Sequence, residues 1–366
     1  MKTVAVFFGG KSNEHEISVI TGLLAVNLLR EKYRVVPVYL SQSGEWYSSE
    51  KMRSVDDLKS VSSDYPRVVL EGRTLVLHKK RKKKAAVIDV ALNCCHGGEG
   101  EDGTLSALLD FHGVPFASPS LSVSSVFMNK ELGKVAAKGL GIPVVESISV
   151  SESDWAEREQ EIMEKVQTFG FPVIVKPVHL GSSIGIKVAQ NAAEFTAALR
   201  LAFRLDSSAV VERYLAGKRD INCAAYRKDG KIVLSPCEEV FSEQEILSFS
   251  EKYEGTGSRN SAFPAELPEG LAEEIQSHVR TLYETFGVCG VVRADFLVQD
   301  DNVYFNELNT VPGSLACYLF GESLSENRDF LVSLIEEVKS VKEKERVTTG
   351  ILHSTVFSGA KGCKRR

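Results

Sequence analysis

NVYFNELNTVPGS, residues 302–314, starts as a strand of alternating side chains and ends in a Pro-Gly turn, with Glu307 and Asn309 two residues apart on one face. Just upstream, VVRADFLVQDD (291–301) reads as another strand, and the polar Asp300, Asp301 and Asn302 between the runs predict a hairpin. With the turn centred on Asp301, Asp295 falls opposite Glu307 and Arg293 opposite Asn309. Carboxylates directly opposed on a sheet repel, so this pairing needs a cation between them. Carboxylate and amide oxygens suit a hard ion such as magnesium, which keeps several waters and grips substrate phosphates. Two readings stand on these residues alone: a metal site or a solvated acidic hairpin.

The 366 residues are 43% hydrophobic and 25% charged, which suits a protein of two or three domains with ample core. MKTVAVFFGG holds only a short apolar run, so no secretory signal is expected. No apolar stretch reaches membrane length, so a cytoplasmic location without membrane partners is the default. The seven cysteines lack zinc or redox spacing and are expected as buried free thiols. A net charge of -5 does not point to nucleic acid as a partner. The basic run KKRKKK (79–84) is read as a solvated loop between strands VVLEGRTLVLH and AAVIDVAL.

KTVAVFF, GGKSNEHE and ISVITGLLAVNLLR read as strand, loop and helix, with Ile17, Ile20, Leu24 and Leu28 near helical spacing. YRVVPVYL follows as a strand. VIDVALNCCH, GGEGEDG and TLSALLDFHG repeat the plan, with Leu105, Leu108 and Leu109 on one face. Such alternation implies a parallel sheet flanked by helices, with ligands at the loops after the strands. FASPSLS (116–122) reads as a linker, followed by one helix, FMNKELGKVAAKGLG. Further on, an acidic helix at 153–169, strand PVIVKP and return strand HLGSSIGIKV build a second sheet. The polar stretch within 240–265 is too long for an ordinary loop, and it reads either as a functional lid or as a sign that the elements around it are misassigned. Helices are expected at 268–286 and 325–343.

Gly181, Ser182, Ser183 and Gly185 can present backbone N–H groups to an anion, with Lys176 as a nearby point charge. The spacing is not that of a phosphate-binding GxxxxGK[ST] loop, and a plain Gly-Ser hairpin remains open. GGEGEDG contains GxGxxG after a strand and before a helix, the pattern of a dinucleotide-binding dehydrogenase. Its Glu99, Glu101 and Asp102 would repel a pyrophosphate, and no ribose-binding acid stands about 20 residues on. His96 and Glu101 there suit a substrate ammonium or carboxylate, although the acids also serve as helix caps.

In combination, the order GGKSNEHEIS, HGGEGEDGT, KPVHLGSSIG, EKY, RADF and NELNTVPGS resembles the D-alanine:D-alanine ligase family of the ATP-grasp superfamily, across roughly residues 3–340. The resemblance implies an α/β fold of three domains: a substrate domain at 1–118, a central ATP-grasp subdomain at 119–211, and a catalytic domain at 212–344 with lid 240–265. Residues 345–366 are expected as a mobile tail. It implies ATP as substrate and two magnesium ions, or manganese, on Asp295, Glu307 and Asn309. Lys130, Lys176 and Lys252 match phosphate lysines, with Ser183 in the same loop. Glu212, Tyr214 and Leu215 match the adenine side, and Asp220 stands, one residue offset, near the ribose acid.

By the same resemblance Glu14 anchors the ammonium of the first D-alanine, Ser182 and Tyr253 complete a hydrogen-bonded group with it, and His96 lies beside the first carboxylate. Arg293 and the N–H of Gly313 stabilise the tetrahedral oxyanion. Tyr318 and Leu319 stand where many members have a Ser-Leu pair for the second substrate. The implied reaction activates one D-alanine as an acyl phosphate and joins it to a second D-alanine, or D-serine, for cell-wall precursors. A homodimer is implied. The alternatives are a D-alanine:D-serine ligase, a nucleotide-dependent dehydrogenase, and a non-catalytic ATP-binding protein.

Overall fold

The computed structural model describes residues 1–61, 65–78, 83–241 and 261–349, with side chains described except at 83–84 and 339–349. In the first unit β1 (Thr3–Gly9), α1 (His15–Leu29) and β2 (Arg34–Leu40) make a parallel crossover, and β3 (Trp46–Ser48) adds an antiparallel edge. Strands β4 (Val68–Glu71), β5 (Thr74–Leu77) and β6 (Lys83–Val87) form a separate small sheet before β7 (Val90–Asn93) returns parallel to β1. Helices α2 (Gly98–Glu101) and α3 (Thr104–Phe111) follow. Every residue of β1 is buried, as covering on both faces requires. Val4, Val6 and Phe8 share a core with α1, whereas Ala5 and Phe7 pack with Leu105 and Leu109.

Several local expectations change here. VVLEGRTLVLH is a two-strand hairpin turning at Gly72, and AAVIDVAL is split between two sheets, because β6 pairs with β5 and β7 with β1. Lys83 and Lys84 of the basic run open β6, and 79–82 lie outside the described residues. Leu108 is exposed while Leu105 and Leu109 are buried. On α1 the buried stripe is Val19, Leu23 and Val26, with Ile20 54% exposed. In so apolar a helix the packing partners, not the periodicity, choose the face.

The second unit begins with α4 (Leu121–Met128) and α5 (Lys130–Gly139), two helices where one was expected. Asn129 is extended between them and its side chain caps α5 by accepting from the Leu132 N–H. The expected linker accordingly gives way to helix at Leu121. Strands β8 (Ser147–Ser151), β9 (Val173–Pro177), β10 (Lys187–Ala189) and β11 (Ser208–Arg213) form an antiparallel sheet. It is backed by α6 (Glu152–Phe169) and α7 (Ala192–Phe203) through Val166, Phe195 and Leu199. Because β11 continues to Arg213, this sheet ends two residues past the expected boundary.

The third unit is an antiparallel sheet of β12 (Arg219–Lys228), β13 (Lys231–Leu234), β14 (Glu238–Val240), β15 (Ser261–Ala262), β16 (Val292–Gln299) and β17 (Asn302–Asn309), with α8 (Leu271–Thr285) on one face. Strict alternation sends Ile221, Cys223, Val292 and Ala294 into the core shared with α8. The opposite face carries Asn222, Arg293, Asp295 and Glu307, which stand in cross-strand pairs. Helix α9 (Leu324–Thr349) packs Phe330, Leu331 and Leu334 into the core of α1 and β1, so the first and third units are joined by apolar contact. The expected tail is helical up to Thr349, and 350–366 lie outside the described residues. Among the described residues no helix is long and apolar enough to cross a membrane.

Candidate active site

The β16–β17 register places Arg293 opposite Asn309 and Asp295 opposite Glu307. Two local devices produce it. Asp300 and Asp301, both with positive φ, make a two-residue turn that pairs Gln299 with Asn302, and a bulge after Asp295 then inserts one residue on β17. Arg293 grips Asp295 with Nε and Nη2 at 2.7 and 2.9 Å, and the Asn309 amide donates to Asp295 at 2.9 Å. Lys130 Nζ stands 3.7 Å from Glu307. The opposed carboxylates are therefore steadied by protein cations. Among the described residues no three His, Cys, Asp or Glu side chains form a metal cluster; the oxygen set here is two carboxylates and one amide, which fits a hard ion that keeps waters and phosphate oxygens.

Beside this hairpin lies a buried charge network. Lys176 of β9 donates to Glu212 of β11 and to Asn306 of the bulge, each at 2.9 Å. Lys134, one turn after Lys130 on α5, meets the other Glu212 oxygen at 3.1 Å. Burial alone would raise the Glu212 carboxyl, but Lys134 and Lys176 outweigh it and bring it down to about 2. Burial, the largest influence on Lys134, lowers that ammonium despite Glu212. Lys134 and Asn306 were missed from the sequence. The four-residue spacing in KELGK was a usable signal for Lys134, since Lys130 and Lys134 share a helical face; nothing local marked the bulge at Asn306.

Leu215 is buried with Val145 and Leu297, next to the partly buried Tyr304. Tyr214 precedes it and is half-buried. Asp220 is ion-paired with Lys218 at the start of β12. In the Gly-Ser loop, Ser182 and Ser183 both take left-handed backbone conformations, with φ of 51° and 59°. Ser182 donates to Glu14 at the entrance of α1. The same carboxylate packs closely against two glycines: a Cβ would come within 2.6 Å of it from Gly97 and 3.2 Å from Gly181, so a side chain at either would push on Glu14. A cleft lined by Glu101, Lys130, Gly181, Glu307, Asn309 and Thr310 lies between the Gly-Ser loop and the hairpin.

His96 is buried, and both ring nitrogens are engaged by protein: Nδ1 with the Val311 carbonyl at 2.7 Å and Nε2 with the Thr21 hydroxyl at 2.8 Å. Its Nδ1 is also 3.6 Å from Glu101, whose carboxyl is pushed up first by burial, with His96 opposing and the Glu14 charge adding. Gly313 opens a short 3-10 segment in which Ser314, Leu315 and Ala316 are all left-handed. Tyr318 donates to the buried Glu238 at 3.1 Å, whereas Leu319 is packed in the core of the first and third units and does not line the cleft. Lys252 and Tyr253 lie outside the described residues, as does most of the expected lid.

A parallel sheet joined to two antiparallel units, with Lys130, Glu307 and Asn309 lining one cleft, defines an ATP-grasp ligase architecture. The D-ala D-ala ligase N-terminus model matches residues 3–119 and the D-ala D-ala ligase C-terminus model residues 136–338. The chain belongs to the D-alanine–D-alanine ligase family. It is 32% identical to the D-alanine–D-alanine ligase of Chlorobaculum tepidum, with 95% of this chain and 98% of that one covered. Identity to the Chlorobium phaeovibrioides enzyme is 34%, covering 85% and 88%. The crystal structure of D-alanine–D-alanine ligase from Helicobacter pylori superposes with a TM-score of 0.77 at 28% identity, covering 92% of this chain and 98% of that chain. The VanG D-Ala:D-Ser ligase of Enterococcus faecalis does so with 0.78 at 27% identity, covering 91% and 99%. This membership removes the dehydrogenase reading of GGEGEDG, whose Glu99 instead accepts from the backbone of Lys11.

Proposed function

We infer that the chain joins two D-alanines at the expense of ATP, supplying a dipeptide for peptidoglycan precursors in the cytoplasm. The observation that carries this reading is that Lys130, Gly181, Glu307 and Asn309 line one cleft, with Glu14 bonded to Ser182 next to Gly181, Lys176 bonded to Asn306 next to Glu307, and Arg293 paired with Asp295 on the adjoining strand. A carboxylate oxygen is a poor leaving group, so the first D-alanine must become an acyl phosphate before an amine displaces it. Glu14, fixed by Ser182, would hold that D-alanine's ammonium. Lys130 and Lys176 would offset phosphate charge. Two magnesium or manganese ions bound at Asp295, Glu307 and Asn309 would supply further neutralisation of the phosphates.

The second amine then attacks, with Arg293 and the Gly313 N–H facing the developing oxyanion. Water would destroy the acyl phosphate, which gives 240–265 its role as a lid carrying Lys252 and Tyr253. The adenine is assigned to Glu212, Tyr214 and Leu215, and the ribose to Asp220. Glu101 and Ser183 serve substrate and phosphate, and the enzyme is a homodimer. Phosphate release on adding D-alanine to protein with MgATP tests the reading, and its absence would remove it.

A second reading, D-serine at the second site, is favoured by Tyr318. Its hydroxyl donates to the Glu238 carboxylate, so a polar group occupies the position that the family resemblance assigns to the second substrate.

A further inference from the structure

Ser314, Leu315 and Ala316 adopt φ of 51°, 52° and 52° in succession. L side chains rarely adopt this region, so three non-glycine residues in a row are strained and the surrounding structure must hold them. Leu315 and Ala316 are buried in the core, and the Leu315 N–H donates to the Pro312 carbonyl at 2.7 Å. The remaining tie comes from 293 residues away: the Ser314 N–H donates to the Thr21 hydroxyl of α1 at 3.3 Å.

Thr21 also meets His96 Nε2 at 2.8 Å, and His96 Nδ1 meets the Val311 carbonyl at 2.7 Å. Hydrogen-bond chemistry orders the chain. A carbonyl only accepts, so Nδ1 carries the proton; in that tautomer Nε2 accepts from the Thr21 hydroxyl, whose oxygen accepts from the Ser314 N–H. The result is a relay that leaves the loop at residue 311, crosses two side chains of the first unit, and re-enters at residue 314. Gly313 lies inside the bracket.

We propose that Thr21 is a positioning residue: through His96 and Ser314 it clamps the 311–314 turn and so fixes the direction of the Gly313 N–H. This rests on the ligase reading, which assigns that N–H to the oxyanion. His96 then acts through its fixed tautomer and not by touching substrate. Rigid placement matters because an oxyanion donor is effective only when pre-aimed, and loss of one costs ~100- to 1,000-fold in rate.

The test compares Thr21→Val, which keeps the shape and removes the hydroxyl, with Thr21→Ser, which keeps the hydroxyl. Thr21→Val should lower kcat at least tenfold and weaken a phosphinate analogue of the tetrahedral intermediate by a similar factor, with KM for ATP within twofold of wild type. Thr21→Ser should restore both. Equal analogue affinity in Thr21→Val and wild type would overturn the proposal. A long-range 1H–15N spectrum of the unmodified protein gives a check that needs no variant: His96 protonated on Nδ1 supports the relay, and protonation on Nε2 overturns it. Wild-type protein without D-alanine-dependent phosphate release would instead sink the ligase reading.

Discussion

Ser182 donates its hydroxyl hydrogen to the Glu14 carboxylate, 168 residues earlier in the chain. The bond ties the Gly-Ser loop of the second unit to the α1 entrance of the first, so under the proposed function the first-substrate anchor would be shaped by both. Hydrogen bonds to charged groups contribute ~1.5–3 kcal/mol, which corresponds to roughly 10- to 150-fold. Ser182→Ala is therefore expected to lower kcat/KM for D-alanine by a factor in that range. Steady-state kinetics with D-alanine varied at saturating MgATP is the check, and a change below threefold would show that Glu14 is held by other means.

Glu307→Gln should leave the fold intact and abolish most metal-dependent turnover, because one anionic oxygen ligand becomes a neutral amide. Circular dichroism and a magnesium titration of activity test the two halves separately. A near-normal rate at saturating magnesium would sink the metal assignment.

Glu212 is clamped between Lys134 and Lys176, and its folded-state value of about 2 lies below the ordinary 4.5. A depressed carboxylate contributes stability that is present above pH 4.5 and lost as the pH falls toward 2. Removing one partner of a buried pair costs ~3–5 kcal/mol. Glu212→Gln should accordingly be less stable to urea at pH 7, and its stability should fall less steeply over the acid window than that of the wild type. Equal acid slopes for the two proteins would contradict the clamp.

The second-site preference is open to direct competition. With MgATP, D-alanine, and equal D-serine and D-lactate, D-alanyl-D-alanine should lead, with D-alanyl-D-serine next, since one added hydroxyl shifts pocket selectivity by only ~1–3 kcal/mol. Mass spectrometry of the products decides. A preponderance of D-alanyl-D-lactate would overturn the choice of an amino acid as acceptor, and a preponderance of D-alanyl-D-serine would reverse the ranking.

Legibility varied with range. The alternation of RADF and NELN, the turn acids and the glycine-bounded loops are local signals, and they led to the Asp295–Glu307 pairing. That pairing was reached by an approximation: a turn centred on Asp301 reproduces in register what a two-residue turn and a one-residue bulge achieve together. The bulge itself, which gives Lys176 its partner Asn306, left no mark that a sequence pattern registers.

Alone, the sequence determined most of the strands and helices near the site, which segments carry charge, and the motif order shared with one ligase family. Those properties follow from backbone periodicity, glycine and turn chemistry, and residue type, all of which act within a few neighbours. Tertiary structure decided the rest: that α1 buries Val19 and Val26 and leaves Ile20 outside, that Lys134 joins Lys176 on Glu212, and that Thr21 and His96 reach the turn at Ser314. Each of these depends on which surface a distant element presents. A buried charge or a left-handed turn is tolerated only where its partner arrives from elsewhere in the chain.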